Sequence, residues 1–142
     1  MENLIENILV NIKTENDVKT YSMLSLAFLG DAIFSLFVRN KIVSEKNLRV
    51  KELHSKTTKF VKAKSQSFIM LNILDKLAED ELQVVKSSRN AKTNNIAKNA
   101  SVMEYKYATA FESLLGYLSL QKNYERLNLI LNLSYDIIYN KD

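Results

Sequence analysis

The stretch Tyr21 to Val38, YSMLSLAFLGDAIFSLFV, constrains the fold more than any other part of the chain. It holds no proline, and its length suits about five helical turns at ~3.6 residues per turn. Tyr21, Met23, Leu24, Leu26, Phe28, Leu29, Ile33, Phe34, Leu36 and Phe37 fall on nearly every face, which predicts a central, buried helix. Gly30 and Asp31 stand in its middle. Glycine costs a helix interior roughly 1 kcal/mol against alanine. A carboxylate in apolar surroundings costs more still unless it is neutralised or bound to a cation.

The run Tyr105 to Leu120, YKYATAFESLLGYLSL, repeats the pattern with Glu112 as its one acid and Gly116 a turn further along the same face. These are the chain's two glycines. Both sit within a turn of a carboxylate in an apolar helix, so close approach of two backbones would bring Asp31 and Glu112 to one point. Two carboxylates that meet repel each other, and a hard divalent cation held through oxygen is the natural third party. On spacing alone the alternative stays open: each acid points to solvent or pairs with a lysine or arginine from elsewhere.

Composition narrows the class. With 142 residues and 46% apolar content, the chain suits one domain over 1–142 with a single core. There is no cysteine, which excludes disulfides and thiolate metal sites, and the lone His54 excludes a multi-histidine site within one chain. His54 reads as a surface hydrogen bonder. Met1 to Ile12 carries Glu2 and Glu6 and no basic start, unlike a signal peptide. The Tyr21–Val38 stretch comes closest to a membrane span but has Asp31 inside it. The expectation is a cytoplasmic protein with no membrane segment. Basic charge is concentrated in two places: nine Lys/Arg against two Glu from Arg39 to Lys64, and five against one from Lys86 to Lys106. Such clustering is the footprint expected for a polyanion, with a solvated face as the plainer alternative.

In chain order, Glu2 to Lys13 reads as a short amphipathic helix, Thr14 to Lys19 as a turn, and Thr20 as the cap of the central helix. Arg39 to Arg49 reads as a surface loop. A helix from Val50 continues towards Leu77, with Lys56, Lys59 and Lys62 on one stripe. Glu79-Asp80-Glu81 mark the solvated first turn of another helix. Ser87 to Val102, SSRNAKTNNIAKNASV, has no aliphatic face and reads as a long loop. Asn123 to Tyr139 closes the chain as an amphipathic helix. No strand is required, so the expected fold is all-α, a bundle of about six or seven helices.

LAFLGDAIF (Leu26 to Phe34) resembles the ribonuclease III signature, and YATAFESLLGYL (Tyr107 to Leu118) resembles that family's second acidic helix. Leu53-His54, VKAKSQ (Val61 to Gln66), RNAK (Arg89 to Lys92), Lys98-Asn99 and TAFE (Thr109 to Glu112) follow the short Mini-ribonuclease III branch, in order and with sensible spacing. The resemblance covers approximately Tyr21 to Leu127 and implies a ribonuclease III endonuclease-domain fold. It further implies an Mg²⁺-dependent homodimer that cuts double-stranded RNA without a separate RNA-binding domain and trims a stem of precursor large-subunit ribosomal RNA. A ribosomal protein on the substrate is a further partner that it allows.

By motif alignment, Asp31 and Glu112 take the places of the family's catalytic, metal-binding carboxylates. The basic segments then become the RNA-binding surface: Lys56, Lys59, Lys62 and Lys64, with Arg89, Asn90, Lys92 and Lys98. Since the aromatics read as core residues, duplex would be recognised through phosphates, 2′-hydroxyls and groove shape. The larger enzymes carry further acids where this chain has Leu24, Ala27 and Thr109, so the metal should have fewer protein ligands and more water. That sparseness makes a catalytically inactive RNA-binding homologue the competing reading. A helical Mg²⁺ phosphohydrolase acting on nucleotides is the third, and the chain lacks the repeated acids such enzymes present to a pocket.

Overall fold

The computed structural model describes residues 17–91 and 101–141. Over these residues the fold is all-α, as expected, and contains no strand. Six α-helices follow a 3₁₀ turn at Val18–Thr20: α1 Met23–Glu45, α2 Val50–Val61, α3 Ala63–Ile73, α4 Glu79–Arg89, α5 Val102–Leu120 and α6 Tyr124–Tyr139. Helices α1 and α5 cross at the centre, and the others pack around them. Leu26, Phe34 and Val38 of α1 meet Phe111, Leu114, Leu115 and Leu118 of α5 in the core, with the Phe34 and Phe111 rings edge to face at 5.0 Å.

Several local expectations are corrected. The central helix is capped by Ser22, not Thr20: Ser22 Oγ accepts from the Ser25 N–H at 3.1 Å, while Thr20 lies in the 3₁₀ turn. The helix then runs through Arg39 to Glu45, where a loop was expected. Val38 and Ile42, four residues apart and both buried, continue its apolar stripe beneath a charged outer face. Lys46 to Arg49 alone form the link to α2.

The long helix expected from Val50 breaks at Lys62, whose backbone is extended (ψ 153°). Neither glycine nor proline marks the break. Side chains make it possible by taking up freed carbonyls: Ser65 Oγ donates to Lys59 O at 2.6 Å and Gln66 Nε2 to Val61 O at 3.0 Å. The acidic first turn of α4 is not uniformly solvated. Glu81 is 2% exposed and accepts from Arg126 Nε at 2.8 Å, and Asp80 accepts from the Tyr117 hydroxyl at 2.8 Å.

The stretch expected as a loop from Ser87 to Val102 is helical at its two described ends. Ser87 to Arg89 are helical, and Val102 begins α5 behind a capping box formed by Ser101 and Glu104. The amphipathic segment expected at Glu2 to Lys13, and Lys92 and Lys98 of the loop, lie outside the described residues. Two aromatics depart from the core faces assigned to them, since Phe28 and Tyr139 are exposed. By length and hydropathy α1 would suffice to cross a membrane, yet its glycine face is spent on α5.

Candidate active site

The two glycines sit where α1 and α5 touch. A Cβ on Gly30 would lie 2.6 Å from the carbonyl carbon of Glu112, and one on Gly116 would lie 2.8 Å from that of Leu26. No side chain fits at either place. The contact is reciprocal: each glycine faces the carbonyl of the residue four positions before the other. Backbones are thus in direct contact, and the residues beside the crossing are fixed by main chain rather than by side-chain packing.

Asp31 and Glu112 meet at this crossing, and their carboxyl groups share a hydrogen bond. Asp31 is exposed and Glu112 half-buried. Burial, followed by the hydrogen bond to Asp31 and its charge, pushes the Glu112 carboxyl up from 4.5 to about 8. Glu112 therefore keeps its proton at neutral pH and bonds to the Asp31 carboxylate through it. No lysine or arginine among the described residues forms an ion pair with either acid.

Gln66 is a site residue that the sequence did not single out. It is 3% exposed, and its amide acts on Glu112 by opposing the upward shift. Its Nε2 also donates to Val61 O at the α2–α3 break, so the kink that interrupts the helix delivers the amide to the acid. It ends the run VKAKSQ (Val61 to Gln66), where a glutamine beside basic residues carries no signal of its own.

The positions lacking family acids stay non-acidic in space. Leu24 is exposed, Ala27 is buried, and Thr109 Oγ1 donates back to Tyr105 O at 2.9 Å. Among the described residues no group of three or more Asp, Glu, His or Cys gathers. The donor set still fits a hard divalent cation: two carboxylates in contact, an amide beside them, and no internal positive charge to balance them.

The basic residues divide into groups. Lys62 caps α3 and Lys64 lies in its first turn, both exposed and close in sequence to Gln66. Lys56 and Lys59 lie on α2, which Lys62 closes as its C-cap, and they line a cavity with the ends of α1 and α6. Arg89 and Asn90 end α4, and Arg89 Nη1 reaches the Tyr107 hydroxyl of α5 at 3.5 Å. His54 is exposed on α2.

The chain matches the Ribonuclease III domain over residues 24–123. It is 46% identical over 138 residues to Mini-ribonuclease 3 of Thermoanaerobacter sp. (strain X514), covering 97% of this chain and 96% of that one. It is also 45% identical over 121 residues to Mini-ribonuclease 3 of Clostridium tetani, covering 84% and 80%. An X-ray crystal structure of a Fusobacterium nucleatum protein superposes with a TM-score of 0.77 at 36% identity, covering 86% of this chain and 98% of that one. With its two acidic helices crossed within the matched region, this chain belongs to the ribonuclease III family, in its Mini-ribonuclease 3 branch, and is an endoribonuclease.

Proposed function

We propose that the chain is an Mg²⁺-dependent, homodimeric, cytoplasmic endonuclease that cuts double-stranded RNA at Asp31 and Glu112, and that it matures the ends of precursor large-subunit ribosomal RNA. The observation that carries this is the meeting of two acids at a backbone crossing, with no ion pair to either among the described residues.

Asp31 and Glu112 would hold the ion. When bound it supplies positive charge for the phosphorane and a more acidic water. The chain's own groups do the rest. Asp31, exposed, is the accessible ligand. Glu112 gives up its proton to become the second, and Gln66 donates to the carboxylate so formed. Lys62 and Lys64, exposed at the start of α3 near Gln66 in the chain, and Arg89 at the end of α4 are the cations that would attract the phosphates of a duplex. Dimerisation is supported by α1, where Leu24, Phe28 and Leu36 form an exposed apolar stripe and Phe28 is 85% exposed. A two-fold dimer gives two sites, one for each strand.

The test is incubation of the purified protein with long double-stranded and single-stranded RNA, with and without Mg²⁺. Cleavage confined to duplex plus Mg²⁺ is expected, and it should disappear in Asp31→Asn. Cutting of single strands at an equal rate, or undiminished cutting by the variant, overturns the assignment.

A further inference from the structure

At the end of α1 remote from the acids, Ile42, Glu45 and Lys46 form a cavity of about 300 Å³ with Lys56, Lys59 and Phe60 of α2 and Tyr135 and Tyr139 of α6. Its volume lies at the lower end of the range for small-molecule pockets. The floor is aromatic: Phe60 and Tyr135 stack at 4.5 Å with 6° between their planes, and Tyr139 lies against Tyr135 at 6.0 Å and 23°. Phe60 and Tyr135 are both buried, whereas Tyr139 is 63% exposed, so Tyr139 still offers surface to a ligand.

Three lysines line the cavity, and none of them forms an ion pair among the described residues. A fourth, Lys41, already sits over the Tyr135 ring at 5.4 Å. The one lining acid, Glu45, accepts from the Tyr135 hydroxyl at 3.3 Å and keeps capacity for further donors. A flat aromatic surface, uncommitted ammonium groups and a single acceptor together match one chemical unit. That unit has a π-face, an anion, and hydroxyl or amine donors.

We propose that this cavity binds a single unstacked nucleotide: its base against Tyr139, its phosphate by Lys46, Lys56 and Lys59, and its ribose hydroxyls or exocyclic amine by Glu45. Unpaired bases in RNA are held in this way, stacked on aromatic side chains beside a basic track. Asp31 and Glu45 are fourteen residues apart on one helix, a span of about 21 Å at ~1.5 Å per residue. The pocket therefore takes a nucleotide outside the cleaved base pairs, in a single-stranded extension of the duplex. This source rests on the proposed action on double-stranded RNA; a free nucleotide carries the same chemistry.

Both sources are tested with the full chain in Ca²⁺, to hold RNA uncut. Binding is measured for one labelled duplex with blunt ends and for the same duplex with a single-stranded extension, and adenosine monophosphate is titrated separately by NMR. The extended duplex should bind about tenfold more tightly than the blunt one, within what a stacked base contributes. Tyr139→Ala should abolish that preference, and Lys46→Ala should reduce it, with blunt-duplex affinity and melting temperature unchanged. Adenosine monophosphate should shift the resonances of Lys46, Lys59 and Tyr139.

Equal affinity for both duplexes together with no shifts overturns the pocket and leaves the duplex reading standing. Shifts without any preference for the extension support the pocket and overturn the RNA extension as its source. Shifts in a protein that binds neither duplex overturn the duplex reading and support the pocket alone.

Discussion

Glu81 and Glu112 are the same residue withdrawn from water in two different ways. Glu81 accepts from Arg126 at 2.8 and 2.9 Å and from the Ala78 N–H at 2.8 Å, so its charge is balanced and its oxygens are satisfied within the fold. Arg126 also donates to Lys76 O at 2.6 Å, tying the turn before α4 to α6. Glu112 faces another acid and one amide. The first arrangement is complete as it stands. The second would be completed by a cation from outside, as the proposed function requires, and on that proposal a carboxylate that holds the fold together is distinguished from one placed for chemistry.

The largest effect that tests this contrast is on activity. Asp31→Asn or Glu112→Gln should reduce duplex cleavage about a hundredfold or more, the scale for loss of a charge-stabilising group, while circular dichroism and duplex affinity stay near wild type. Arg126→Ala should do the reverse. Removing the cation from the buried pair should lower unfolding free energy by about 3 kcal/mol in urea titration, with any folded fraction still cutting. A variant of Glu112 that unfolds, or one of Arg126 that stays fully stable but inactive, would erase the distinction.

Gly30→Ala should cost at least ~3 kcal/mol, because its methyl group would enter the Glu112 carbonyl and neither backbone can move away cheaply. Gly116→Ala should behave alike against Leu26. Melting curves of the two variants should be displaced together. A mild effect at either glycine would mean that the helices can separate without consequence.

A smaller effect is the pH dependence of stability in metal-free protein. Glu112 ionises near 4.5 when unfolded and at about 8 when folded. Below 4.5 both states carry the proton. Between 4.5 and 8 the folded state keeps a proton that the unfolded state has released, so this group's contribution to stability falls as pH rises, and the loss is complete above 8. Melting temperature should therefore drop over that window, and Glu112→Gln should flatten the drop. Added Mg²⁺ should restore stability most at the alkaline end, with proton release measurable near pH 7. The smallest expected change is Arg89→Ala, which should weaken duplex binding and lower its salt slope by about one phosphate contact.

The crossing was legible because glycine is scarce here and each glycine lies a turn or less from an acid in an apolar helix. The partner of Glu81 was not, because Arg126 lies 45 residues away and three consecutive acids at a helix start look solvated. The extension of α1 was hidden by Arg39 and Lys41, whose charge obscured the Val38–Ile42 repeat. The break at Lys62 is not legible in the sequence because serine and glutamine side chains replace the usual glycine or proline signal. The placement of Gln66 near Glu112 is hidden for the same reason: it depends on a bend that local propensity does not announce.

Because α1 and α5 meet main chain to main chain at Gly30 and Gly116, the carboxylates are located much as a part is located by a dowel. Positions 31 and 112, far apart in the sequence, are thereby held at the same pin. The spacing of the acids is therefore inherited from the backbone contact itself, and a side-chain change elsewhere in the bundle reaches it only by prising that contact open.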